Sequence, residues 1–426
     1  MRNINTILFV ILFAILTISC QHNQKQKGFN ITSGKISKTD VNYDYSIKQS
    51  DNQSKIPLLV VVDPHGSGKY AIEKFEDILD RENGLIIGLN NVRNNTPGFA
   101  NLIYKALNNA VQNFPVDKSK IYLAGFSGGA RMAFQYAINY GCSGLIMCGA
   151  GPSYSDNINI PFPLVMITGT KDFNFIEQYY PPSLEVLKNN NIITLHFKGN
   201  HEWPSDSLLL QGYDFISRNN LNVDNSIKSC IENSKQQELQ KEYLLSFKQL
   251  ERAYKIAPQK EKENIKNLIN ELISKNEFKN YISELQQNLQ DESNRNRDYI
   301  RAIELKDSIW WKNEIKQINK FSSDEENTLT SESYSRTKAF LGILLFSKTN
   351  QLIQQKNQDE LLRNALFIYQ QLEPKNPDVF YYKSLFAIHN QDTLTCIKSM
   401  KTAFKYGFSD SLRLHKDFSK EMINYF

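Results

Sequence analysis

Ser127 stands in Gly125-Phe126-Ser127-Gly128-Gly129, a GxSxG pentapeptide. Two other reactive side chains follow it: Asp172, closing Gly169-Thr170-Lys171-Asp172, and His201 in Gly199-Asn200-His201-Glu202-Trp203-Pro204. A serine hydroxyl is a poor nucleophile until a base takes its proton. An imidazole, with an ordinary pKa of about 6.5, takes that proton and later returns it to a leaving alcohol. A carboxylate beside the ring would hold its tautomer. The oxyanion formed by such an attack needs fixed donors. The sequence offers the backbone N–H of Gly128 and one from the turn Pro64-His65-Gly66-Ser67-Gly68, with Ser67 as the candidate. The pentapeptide alone reads equally as a glycine-rich β-to-α turn with an incidental serine.

Each role has competitors. Asp214 and Glu202 are alternative acids, although Glu202 adjoins His201 in sequence. His196 alternates with Leu195 and Phe197 and reads as a packed core residue. His65 is explained by the backbone shape of its turn; with Phe126 and Trp203 it is also a candidate for a substrate subsite, and Trp203 beside Pro204 reads equally as packing. Cys142, Cys148, Cys230 and Cys396 show no CxxC or His/Cys metal spacing. They read as buried free thiols, with a Cys142–Cys148 disulfide as the alternative, and neither a metal nor a cofactor is expected.

Chemistry of this kind has to be mounted on a frame. Continuous apolar runs at 57–62, 84–89, 121–125, 144–147, 164–168 and 192–197 predict strands buried on both faces, and weak alternation through Val41, Tyr43, Tyr45 and Ile47 predicts edge strands. Helical spacing covers 70–81, 96–114 with Thr96 and Pro97 at its start, 130–140 and 208–217. Strands alternating with helices imply a mostly parallel sheet, helices on both faces, and a ligand site at the carboxyl ends of the strands. The PHGSG turn, Ser127, Asp172 and His201 all follow strands.

The chain order Ser, Asp, His is that of the α/β-hydrolases. GFSGG, the PHGSG turn, the GTKD turn and His201-Glu202-Trp203-Pro204 together resemble the polyhydroxybutyrate depolymerase and feruloyl or acetylxylan esterase branch of that superfamily, across residues 40–218. The resemblance implies Ser127 as nucleophile, Asp172 as triad acid and His201 as base. It also implies a carboxylic ester substrate, polymer- or glycan-linked, cleaved through an acyl-enzyme. The same triad cleaves amides, so a serine peptidase is the runner-up.

Around this unit the composition changes. Residues 1–20 carry Arg2 ahead of an apolar run from Ile7 to Ile18, too short to span a bilayer, that ends at Ser19-Cys20. This resembles a bacterial lipoprotein signal and implies export and envelope attachment through a lipidated Cys20, followed by a tether over 21–39; an ordinary cleaved signal is the alternative. Residues 219–236 are polar and read as a linker running into a helix. Residues 237–426 have few glycines and prolines and read as an all-α domain. Pro374 to Gly407, and Leu250, Ala253 and Pro258, resemble tetratricopeptide repeats, whereas Asn276 to Asn319 does not. Such a domain could take a protein partner, which gives the non-enzymatic alternative: an envelope binding or assembly protein with a vestigial hydrolase half. With 50 basic and 45 acidic residues and no basic block, no footprint for nucleic acid is present.

Overall fold

The computed structural model describes residues 31–49, 54–152, 160–189, 191–218, 223–324, 328–355 and 359–426. The signal-like segment and Cys20 lie outside them. Eight strands form one sheet: β1 (Ile31–Lys38), β2 (Val41–Lys48), β3 (Ile56–Val62), β4 (Gly84–Leu89), β5 (Val116–Phe126), β6 (Gly144–Cys148), β7 (Leu164–Gly169) and β8 (Ile192–Phe197). Their spatial order is β1-β2-β4-β3-β5-β6-β7-β8. The hairpin β1-β2 joins antiparallel, and every pair from β4 to β8 is parallel.

The apolar runs explain this sheet. In β3 and β4, Leu58, Val60, Val62, Leu85 and Ile87 enter one core while Leu59, Val61 and Ile86 enter the other, so alternate residues are buried on opposite faces. Helices α1 (Gly68–Glu73) and α2 (Glu76–Arg81) cover the second face, and α3 (Phe99–Asn113) and α4 (Gly128–Tyr140) the first. The short α5 (Phe175–Gln178) follows β7, and α6 (Asp206–Ser217) returns over the second face. This is the mostly parallel α/β sheet with helices on both faces expected from the sequence, followed by an all-α half.

Four local expectations need correction. The helix expected over 70–81 breaks after Glu73 because Phe75 turns into the core, edge-on to Trp203 with ring centroids 6.0 Å apart. Thr96 and Pro97 do not cap α3: Gly98, at φ +65°, precedes it, and the Thr96 hydroxyl accepts from the Arg93 N–H instead. β1 occupies the end of the expected tether, paired with β2 from Ile31 opposite Lys48 to Lys38 opposite Val41. The expected linker is already helix from Val223, α7 (Val223–Leu239), whose Ile227 and Cys230 are buried in a core shared with the next helix and whose buried Ser234 bonds the Ser246 hydroxyl there.

That next helix is α8 (Tyr243–Ile256), followed by α9 (Gln259–Ser274), α10 (Asn276–Leu305), α11 (Ser308–Ser322), α12 (Thr328–Gln355), α13 (Asp359–Leu372), α14 (Pro377–His389), α15 (Thr393–Lys405), α16 (Ser411–Asp417) and α17 (Lys420–Ile423). Pro377 opens α14 at the position where its missing N–H costs nothing, and the Asn376 side chain accepts from the Asp378 N–H at 2.9 Å. α7 packs on α8 and α14 on α15 as hairpins. Between them, α10 at 30 residues and α12 at 28 are far longer than the 13 of α14 and interrupt any regular repeat. No helix among the described residues is long and apolar enough to cross a membrane.

The two halves meet along the sheet edge. α8 lies on β8, and Lys255 Nζ donates to the Ile192 carbonyl at 2.6 Å. Lys255 and Lys248 both pair with Glu251, at 2.6 and 2.9 Å, and all three side chains are buried.

Candidate active site

Ser127 sits between β5 and α4 at φ 51° and ψ −121°, a region that L residues occupy only under strain of about 1–3 kcal/mol. Its flanking glycines permit the turn. A Cβ at 129 would lie 2.1 Å from the Val62 carbonyl oxygen, and one at 125 would lie 2.6 Å from the backbone of Gly129. The Ser127 N–H donates to the Cys148 carbonyl at 2.8 Å, which ties the elbow to β6.

From this turn the hydroxyl reaches His201 Nε2 at 2.9 Å, and His201 Nδ1 lies 3.0 and 2.9 Å from the two Asp172 carboxylate oxygens. Asp172 is 0% exposed. Its turn is closed by the Asp172 N–H to Gly169 O at 3.1 Å and the Phe175 N–H to Asp172 O at 2.8 Å, and the Asn174 N–H donates to Oδ1 at 2.8 Å. The competing acids lie elsewhere: Asp214 pairs with Arg81 at 3.0 Å, and Glu202 accepts from the Asn200 N–H at 3.1 Å.

The imidazole is flanked by Phe126 and Phe173, with ring centroids 4.7 and 4.4 Å away. Phe126, 8% exposed, stacks on Trp203 at 5.2 Å, so these two members of the expected subsite form the wall behind the ring. The His65 side chain is 80% exposed, 3.6 Å from Asp63. Its hydrogen bond to that carboxylate raises its pKa against a smaller effect of burial. Burial pushes the Asp63 carboxyl up, but the bonds and charge of His65 outweigh it and hold the group below the usual carboxylate range.

Asp63 also decides which amide of the PHGSG turn is free for an oxyanion. The His65 N–H donates to its Oδ1 at 2.8 Å, the Gly66 N–H to its carbonyl at 3.1 Å, and the Gly68 N–H to Asn90 Oδ1 at 3.1 Å. Ser67 N–H has the longest bond, 3.4 Å to Asp63 Oδ1, and is the least committed donor of the four. The Gly128 N–H heads α4, where a helix supplies no internal acceptor.

Several residues here escaped the motif reading. An aspartate opening a proline-containing turn is a recognisable signal, and Asp63 was available by that rule. Phe173 and Asn174 are set by their position beside Asp172. Asn94 had no signal: its carboxamide occupies the space over Gly128, 1.8 Å from where a Cβ would stand, while its N–H donates to the Pro64 carbonyl at 2.8 Å. Cys142, Cys148, Cys230 and Cys396 are free thiols. Among the described residues, no group of three or more His, Cys, Asp or Glu could hold a metal ion.

No family model matches the chain, and no curated protein matches it. Among solved structures it is similar to FphF, a fluorophosphonate-binding serine hydrolase of Staphylococcus aureus, at 14% identity over 44% of this chain and 98% of that one, with a TM-score of 0.34. A ferulic acid esterase gives 14% identity over 44% and 97%, with a TM-score of 0.36. A dienelactone hydrolase-like promiscuous phosphotriesterase, P91, from metagenomic libraries gives 14% over 41% and 84%, with a TM-score of 0.30.

Proposed function

We propose that the chain is a serine hydrolase that cleaves a carboxylic ester through an acyl-enzyme. The observation that carries this reading is the continuous chain Ser127 Oγ, His201, Asp172, with each link near 2.9 Å. In the first step Ser127 Oγ bonds to the ester carbonyl carbon as its proton passes to His201 Nε2, and the Asp172 carboxylate accepts from Nδ1–H and favours the imidazolium. The N–H groups of Gly128 and Ser67 receive the oxyanion. Collapse of the tetrahedral species breaks the bond to the alcohol, which leaves with the proton from Nε2. Water then attacks the acyl-enzyme with His201 as base, releasing the carboxylic acid and restoring Ser127.

The sequence resemblance supports a feruloyl, acetyl or hydroxyalkanoate ester, polymer- or glycan-linked. The Ser19-Cys20 junction supports attachment to the cell envelope by a lipid. A fluorophosphonate probe tests the chemistry: wild-type protein takes the label and Ser127→Ala does not. An unlabelled wild type, or a labelled Ser127→Ala, refutes the reading. Parallel assays of p-nitrophenyl esters and peptide anilides separate esterase from peptidase, and turnover of the esters is expected.

A further inference from the structure

The turn that carries Asp172 is gripped from the helical half. Arg336 on α12, 1% exposed, donates from Nη1 to the Thr170 carbonyl at 2.5 Å, two residues before Asp172. Its guanidinium carbon lies 5.0 Å from the ring centroid of Phe175, three residues after Asp172. Its Nε donates to Glu292 on α10 at 2.8 Å. The sheet holds the same turn from the other side: the Thr170 N–H donates to Phe197 O at 2.8 Å and the Lys171 N–H to Gly199 O at 2.9 Å, both in the segment leading to His201. One cation on the helical half thus contacts the backbone before the triad acid and an aromatic ring after it.

We propose that Arg336 is a positioning residue for the triad: by fixing the Thr170 carbonyl and the Phe175 ring on either side of Asp172, it sets the direction of that carboxylate toward His201 Nδ1. Its effect on turnover rests on the serine-hydrolase reading, whereas its effect on the imidazole does not. Docking alone would not require this arrangement, because buried ion pairs are replaceable by apolar contacts at little cost. Only a planar fork meets a carbonyl, a carboxylate and an aromatic face together, so lysine is not an equivalent. Burial raises the carboxyls of Glu292 and Glu332 above the usual range, and Arg336 offsets part of that rise at both.

Two variants separate positioning from docking. Arg336→Lys keeps a cation near Glu292 but loses the fork. Glu292→Gln removes the ion pair and leaves the bond to Thr170. In Arg336→Lys, Ser127 is expected to take a fluorophosphonate label about 10- to 100-fold more slowly. The downfield proton resonance of the His201 Nδ1–H should shift or broaden. Glu292→Gln is expected to keep the wild-type rate and resonance, whatever its melting temperature. If Arg336→Lys does not fold, the apolar pair Arg336→Met with Glu292→Leu replaces it, with the same expectation. A folded protein that lacks the clamp but keeps both readouts overturns the proposal, and so does an equal change in Glu292→Gln. If the wild-type protein takes no label, the hydrolase reading fails and the resonance alone decides: movement in Arg336→Lys but not in Glu292→Gln upholds positioning, and no movement overturns it.

Discussion

Asp172 is useful to His201 because it only accepts. Asp172→Asn would present an amide donor to Nδ1 and select the opposite tautomer, leaving Nε2 protonated and unable to take the Ser127 proton. The expected result is a fold unchanged by circular dichroism and an ester kcat about 10⁴-fold lower. The grouping of Ser127, His201 and Asp172 was legible in the sequence because each sits in a short turn whose residues declare its shape: glycines around Ser127, GTKD ending at Asp172, HEWP from His201. Asn94 and Arg336 were not legible. Each is recruited by tertiary placement from a segment without a motif, and a loop asparagine or a helical arginine is ordinary until its neighbours are known.

At the scale of elements, the edge strand β8 shows how the sheet is finished. A strand edge is a row of unpaired backbone groups. Here α8 lies against it, and Lys255 takes the Ile192 carbonyl. His196, in the same strand, is buried beside Phe175, with centroids 4.9 Å apart. Burial and then Lys248 hold its pKa well below 6.5. The unfolded chain binds a proton at this residue below pH ~6.5 and the folded chain does not. The stabilising effect is therefore complete above that pH and falls as pH drops, by up to ~1.4 kcal/mol per unit. Urea unfolding compared at about pH 7 and about pH 5 should show a smaller loss in His196→Leu than in the wild type. The sequence read His196 as a core residue from its alternation, and that is where it lies. The polar run at 219–236 misled because three buried residues, Ile227, Cys230 and Ser234, suffice to seat a helix that is otherwise mostly polar.

Across the whole molecule, the apolar cores ignore the boundary drawn from composition. Phe175 packs with Leu244, Leu285, Leu289 and Leu329, and Leu187 joins the core of α7, α8 and α9. A chain stopped at residue 218 would expose both residues together with the β8 edge. It is expected to aggregate, eluting in the void volume on size exclusion or partitioning into the pellet. Composition located the change from α/β to all-α because strand runs cease there, but it carried no information on contact between the halves, which depends on which surfaces meet.

The bond between Arg336 and Thr170 spans 166 positions in the chain. At a synthesis rate of ~5–20 residues per second, the carbonyl is made about 10–30 s before the guanidinium that will hold it. Through that interval the nascent α/β half has its Ser127 turn but lacks the contact that Arg336 makes beside Asp172. On the positioning proposed for Arg336, the Asp172 turn is therefore complete only once α12 has been made and has docked against it.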